Sequence, residues 1–212
     1  TLQFIARHAG LHTGQALEHT GAMALDDLEV PPEAYGAALP VATLLTVDAL
    51  PNWLFPRRRN SHKGESGRVL CIGGDHGSGG AIVLCAEAAL RSGAGLVDVA
   101  TRELHVPVVL ARRPEVMAHG IESGEDLEPL LSRAGAIGIG PGLGQGEWGK
   151  AMLRLALASQ NPLVLDADAL NFLAAAPRVL TDAILTPHPG EAARLLGIDT
   201  AAVQADRFAA AA

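Results

Sequence analysis

The sequence predicts an α/β fold built on a mostly parallel sheet. Three observations carry that prediction. From residue 68 onward, short apolar runs alternate with helical patterns. The runs lack the in-and-out alternation of a half-exposed strand, as expected when helices cover both faces of a sheet. Loops rich in glycine or proline follow them, and strict alternation of strand and helix favours right-handed crossovers.

Taken in order, residues 1–50 are too few for an α/β domain of their own. "TLQFIARHAG" opens like a strand already under way, and "HTGQALEHTGAMALDDLEVPPEAYG" holds turn signals around one short apolar stretch. A connector is expected at "LPNWLFPRRRNSHKGESG", residues 50–67, where prolines, three arginines and a Gly/Ser-rich finish meet. Strands are then predicted at 68–72, 96–100, 136–139, 163–166 and 183–186. Helices are predicted near 80–92, 147–159, 168–175 and 190–196. The closing "AAVQADRFAAAA" reads as a helix in mid-run, so the sequence is expected to be part of a longer polypeptide.

Composition narrows the function classes. Aromatics make up only 3% of the chain, so the core must come from Ala, Val, Leu and Ile. A net charge of −7 with scattered Lys and Arg argues against a nucleic-acid partner. Arg57-Arg58-Arg59 reads as a solvated face rather than a binding site. Cys71 and Cys85 lack metal-ligand spacing and suggest a reduced, cytoplasmic setting. The apolar run near 36–50 is broken by Pro40 and Asp48, so no membrane span is expected.

Four loops carry the candidate chemistry. "CIGGDHGSGGA", residues 71–81, is not a Walker loop, because Gly80 and Ala81 stand where Lys and Ser/Thr belong. Nor is it a dinucleotide fingerprint, since Ile82 takes the third glycine's place. What remains is a strand-to-helix turn at Gly79, Gly80 and Ala81 stripped of side chains, open either to a ligand or to tight packing. "GIGPGLGQG" (138–146) repeats the arrangement, stiffened by Pro141. In "LVLDADALNFL" (163–173), Asp168 is expected to cap a helix, whereas Asp166 and Asn171 are candidates to line a site. In "LTPHPGEAARL" (185–195), two prolines hold His188 rigid, and Glu191, which opens a helix, is a further candidate to line the site. All four loops follow strands, so in an open parallel sheet they would share one crevice.

In that order, "KGESGRVLCIGGDHGSGGA", "EAALRSGAGLVDVAT", "ARRPEVM", "GIGPGLG", "LVLDADALN" and "LTPHPGE" resemble the NAD(P)H-hydrate dehydratase domain of bifunctional nicotinamide-cofactor repair enzymes. The resemblance covers about residues 57–212. "FIARHAGLHTGQALEHTG" resembles the end of the epimerase domain that precedes it in those enzymes. The implied organisation is an epimerase remnant at 1–50, a linker at 51–66, and the N-terminal and central part of an incomplete dehydratase domain at 67–212.

The resemblance implies a three-layer α/β/α ribokinase-like fold, truncated at its C-terminus. It implies ADP-dependent dehydration of (S)-NAD(P)H-hydrate, with ADP and Mg²⁺ as cofactors and K⁺ for the epimerase half. The substrate would be hydrated NADH or NADPH, touched by Ala81, Gly144 and His188. By the same resemblance, the first loop is cleared for that substrate. The family's nucleotide-binding loop and catalytic aspartate would lie beyond Ala212, so these residues alone are expected to be inactive. No residue is assigned a catalytic or metal-binding role, and a homo-oligomer is compatible with the reading.

Two rivals stand beside it. A vitamin or sugar kinase of the same fold often carries Asn-x-x-Glu after Thr-Pro. Here His188 takes the Asn position, which favours the dehydratase. A non-catalytic nucleotide-binding module is the second rival, since fold alone does not set function.

Overall fold

The computed structural model describes residues 1–36 and 38–212; Ala37, within the apolar run at 36–50, lies outside the described residues. Two compact units are present, one formed by Thr1–Arg57 with Ile198–Ala212, the other by Arg58–Gly197.

In the first unit, strand β1 (Leu2–Phe4) pairs in parallel with β2 (Ala24–Asp26), and helix α1 (Leu17–Thr20) lies between them in sequence. The unit buries Gln3, Thr20 and Val203, while Leu39, Val41, Val47 and Phe55 are exposed. Gln3 is anchored by the His8 amide, which donates to its Oε1 at 2.7 Å.

The second unit is a six-stranded sheet in which all pairs are parallel. Its strands are β3 (Arg68–Ile72), β4 (Leu96–Thr101), β5 (Met117–Gly120), β6 (Ala136–Ile139), β7 (Leu163–Leu165) and β8 (Ala183–Leu185). The helices are α2 (Gly79–Arg91), α3 (Val106–Arg112), α4 (Gly124–Leu131), α5 (Glu147–Ala158), α6 (Ala167–Ala175) and α7 (Pro189–Leu196). Two further helices, α8 (Thr200–Ala205) and α9 (Arg207–Ala211), belong to the first unit.

Alternation along the strands produces three layers. Leu70, Ile72, Ile137, Ile139, Leu163 and Leu165 point to one face and pack against α4, α5 and α6. Cys71, Val97 and Val99 point to the other and meet Ile82, Val83 and Ala86 of α2 and Val109 of α3. Full burial of each such side chain contributes roughly 1.5–3 kcal/mol, so this double-sided core dominates the unit's stability. Helix α5 shows the logic locally. Trp148, Met152, Leu153 and Ala156 recur along one buried face.

All predicted strands and helices of this unit form, with boundaries shifted by at most a residue or so. Three elements were not anticipated. Strand β5 is a sheet edge with no fully buried residue and so lacks an apolar run. Helix α3 reads Val-Pro-Val-Val, poor helix formers by propensity, and holds because Val109 is buried. Helix α4 contains Pro129, which masks the pattern, but a capping box between Ser123 and Asp126 starts it. The connector at 50–67 is not wholly irregular. Short 3₁₀ turns occupy Val47–Asn52 and Lys63–Ser66, and Arg58 pairs with Glu65 at 2.6 Å.

The strand order is β5-β4-β3-β6-β7-β8. Connections therefore run one way from β3 and the other way from β6, and a parallel sheet opens a crevice at such a reversal. The loops after β3 and β6 are the two glycine loops. Among the described residues, no helix is long and apolar enough to cross a membrane.

Candidate active site

The two glycine loops are zipped together at the carboxyl edge of the sheet. Gly74 N–H donates to the Pro141 carbonyl at 3.1 Å, and Asp75 N–H donates to the Gly142 carbonyl at 2.6 Å. Such close backbone approach leaves no room for side chains. A Cβ on Gly142 would lie 2.7 Å from Ser78 Cβ, and one on Gly79 would lie 2.5 Å from the His105 ring. Much of the glycine content thus serves loop-on-loop packing. Of the two readings left open for this turn, packing accounts for Gly79, because His105 fills the space a side chain there would need. Gly80 meets nothing within 4 Å and faces open space.

Beside Gly80, Ala81 lines a cavity of about 450 Å³ together with Cys85, Pro141, Val164, Asp166 and Thr186. Thr186 Oγ1 donates to Asp166 Oδ1 at 3.0 Å, joining the ends of β7 and β8 across the cavity. Cys71 and Cys85 are free thiols, and their mutual influence lowers the pKa of Cys85, while the same influence and burial raise that of Cys71.

Gly144 stands between two carboxylates. Its N–H donates to Asp168 Oδ2 at 2.9 Å, and a Cβ on it would come within 2.6 Å of Asp75 Oδ2. Asp168 also receives the Asn171 side-chain amide at 3.4 Å, and Asn171 Oδ1 accepts from Arg194 Nε at 2.9 Å. The second loop, α6 and α7 are linked through this chain. Asp168 was expected to cap α6. It does not. It sits inside the first turn, and its carboxylate reaches across to the second glycine loop. Sequence reading missed it because a cap and a tertiary acceptor leave the same residue in the same place.

Arg102, beyond the end of β4, donates through Nε to Asp75 Oδ1 at 2.8 Å and through Nη1 to Glu122 Oε2 at 2.6 Å. Burial pushes the Asp75 carboxyl up, but the hydrogen bonds from Arg102 and from the His76 backbone, with the charges of both residues, outweigh it and leave it below the usual range.

His188 is the N-cap of α7. Its Nδ1 accepts the Gly190 N–H at 3.0 Å, which places the ring proton on Nε2, facing Glu191 Oε1 at 3.2 Å. The buried Glu191 carboxylate also accepts the His188 N–H at 2.9 Å, so the two residues form a closed capping pair. The His188 ring itself remains largely exposed.

The six sequence-predicted residues thus fall into three groups along this edge. Ala81 and Asp166 share the cavity, Gly144 and Asn171 meet at Asp168, and His188 is paired with Glu191. Among the described residues, no group of three or more His, Cys, Asp or Glu is arranged to hold a metal ion.

Residues 69–212 match a protein-family model described as NAD(P)H-hydrate dehydratase. The chain belongs to this family. It is 49% identical over 210 residues to the bifunctional NAD(P)H-hydrate repair enzyme of Coxiella burnetii, covering 99% of this chain and 43% of that protein. Identity to the Escherichia coli enzyme of the same description is 45% over 208 residues, covering 98% and 40%. The chain therefore spans about two-fifths of the length of these curated relatives.

Solved structures agree on the fold. A ribokinase-like superfamily protein from Enterococcus faecalis superposes with a TM-score of 0.71 at 33% identity, covering 79% of this chain and 62% of that one. The ADP/ATP-dependent NAD(P)H-hydrate dehydratase of Bacillus subtilis, co-crystallised with ATP and Mg²⁺, superposes with a TM-score of 0.63 at 32% identity, covering 76% and 58%. The fold of this family member is ribokinase-like α/β/α.

Proposed function

We propose that the native polypeptide dehydrates (S)-NAD(P)H-hydrate to NAD(P)H in an ADP-dependent reaction, and that residues 67–212 supply part of the dehydratase domain. The observation that carries this reading is the family match over 69–212, with its loops gathered at the switch point of the sheet. ADP supplies the phosphoryl group that makes the ring hydroxyl a leaving group, and Mg²⁺ accompanies it. No residue described above is assigned to either.

What this chain contributes is binding and orientation. Ala81 borders the cavity after β3, Gly144 presents the second glycine loop, and His188 offers an exposed ring whose tautomer is set by Gly190 and Glu191. Rigid backbone and fixed dipoles suit a reaction that depends on positioning and charge stabilisation. Residues 1–50 are read as the end of an epimerase-like domain that uses K⁺, and 51–66 as a linker. The proposed setting is cytoplasmic, with hydrated NADH or NADPH as the small-molecule partner and nucleic acid not among the partners.

The rival kinase reading is disfavoured by the residue after Thr186-Pro187, which is His188 rather than Asn. The deciding experiment incubates the native polypeptide with (S)-NADPH hydrate, ADP and Mg²⁺ and follows recovery of reduced-cofactor absorbance. Recovery that stops when ADP is withheld supports the reading. Absence of recovery with either ADP or ATP, alongside a stable phosphorylated product from another small molecule, would favour the kinase.

A further inference from the structure

Arg102 lies just outside the sequence motifs that carry the family resemblance, yet it joins three segments at the carboxyl edge. Its side chain is only 14% exposed. Nε reaches Asp75 on the first glycine loop, Nη1 reaches Glu122 after β5, and Cζ lies 4.6 Å from the centroid of the Trp148 ring on α5. Trp148 is itself fixed, because its Nε1–H donates to the Ile121 carbonyl at 2.8 Å. One guanidinium thus holds three segments in a single orientation.

Asp75 passes that order on. Its N–H is bonded to Gly142, and its Oδ2 occupies the space that a side chain on Gly144 would need. We infer that Arg102 is a positioning residue for the substrate edge, holding the Asp75 carboxylate in place so that the loop bearing Gly144 keeps its binding geometry. The inference rests on the reading that Gly144 touches the hydrated dinucleotide. An exposed ion pair would contribute little to such order. The Arg102–Asp75 pair is mostly buried, and the same guanidinium also reaches the more exposed Glu122 and lies over the Trp148 indole. A lysine has neither the planar fork nor the flat face to repeat that arrangement.

The test measures affinity for (S)-NADPH hydrate across a range of pH in the native polypeptide and in Arg102→Ala, Arg102→Lys, Asp75→Asn and the Arg102→Ala/Asp75→Asn double variant. Arg102→Ala and Asp75→Asn should each weaken binding by about tenfold or more. The double variant should be no worse than the poorer single, because both act through one contact. Arg102→Lys should rescue only partly.

In Arg102→Ala the acid limb of binding should move to higher pH, since Asp75 loses the cation that keeps its carboxyl low. Asp75→Asn should abolish that limb, a readout that general loosening of the fold would not give. Amide exchange at Gly144 should quicken in both single variants, with or without ligand. Unchanged affinity, an unmoved acid limb, additive losses or unchanged Gly144 exchange would overturn the role of Arg102. Failure of the unsubstituted protein to bind the hydrate would overturn the substrate reading instead, with the exchange result still judging Arg102. Should Arg102→Ala not fold, Asp75→Asn carries the same comparison.

Discussion

Gly144 is bonded through its amide to Asp168 at 2.9 Å, across 24 residues of sequence. That contact ties the second glycine loop to α6, because Asp168 is seated in the first turn of that helix. Removing the acceptor by Asp168→Ala leaves the Gly144 N–H without its partner and should cost about 1–2 kcal/mol, read as a lower midpoint in urea unfolding. Asp168→Asn keeps one acceptor oxygen and should lose less. Under the proposed function, hydrate affinity should fall in the same order.

Gly144 has a φ of +70°, and the space its Cβ would need is taken by Asp75 Oδ2. Gly144→Ala should therefore destabilise by about 1–2 kcal/mol from backbone conformation alone, with a steric part added. Combining it with Asp75→Ala should relieve the steric part and leave the conformational part, so the double variant should be more stable than the sum of the single losses predicts. Thermal unfolding of the four proteins checks this.

His188 has two roles that different substitutions separate. Its Nδ1 caps α7 through Gly190, so His188→Ala should lose about 1 kcal/mol of stability. His188→Asn supplies a substitute cap and should be nearly as stable as the parent. If the exposed ring also contacts the hydrate, both variants should bind it more weakly, by about tenfold for a hydrogen-bonded contact. Affinity that follows stability, lost in the alanine variant and kept in the asparagine variant, would reduce His188 to a cap.

Far from the loops, Asp98 on β4 is almost fully buried, its side chain 2% exposed. Arg68 Nε approaches it at 2.5 Å, Arg133 Nη2 at 2.7 Å and His119 Nε2 at 2.8 Å. Burial pushes its carboxyl up, yet the hydrogen bonds from Arg68 and His119 and the charges of Arg68 and Arg133 prevail, and the net direction is downward. A folded value below the unfolded one means that the stabilisation is complete above the ordinary aspartate range of about 3.9. It is lost as pH falls through the lower folded value. Asp98→Asn should remove that part of the acid-induced loss. At neutral pH it should cost about 3 kcal/mol, because two arginines lose their counter-charge. Urea melts at several pH values between roughly 2 and 7 would show the flattened profile.

The sheet was legible because its strands are apolar on both faces, and the sequence marks each with a run such as "RVLCI" or "LVDVA". Strand β5 escaped because an edge strand of "MAHG" buries little, and α3 escaped because Val-Pro-Val-Val reads against helix. At the site, chain order alone brought four loops to one edge. What it could not convey was which side chains bridge them. Asp168 reads as a helix cap and acts as an acceptor for Gly144. Arg102 reads as an ordinary residue after a strand, and its two carboxylate partners lie 27 and 20 positions away. Gly79 reads equally as a ligand approach or as tight packing, and only the fold shows that it makes room for His105. Such roles depend on distances that arise only after the sheet has ordered its strands.

The central claim is that the carboxyl-edge loops of this chain hold the hydrated nicotinamide dinucleotide. Its most direct test is a titration of the isotope-labelled protein with (S)-NADPH hydrate, followed through backbone amide resonances. The account predicts saturable shifts at Ala81, at Gly144 and around His188, each weakened by Arg102→Ala. Saturable shifts confined to the opposite edge of the sheet, or no shifts at any hydrate concentration, would contradict it.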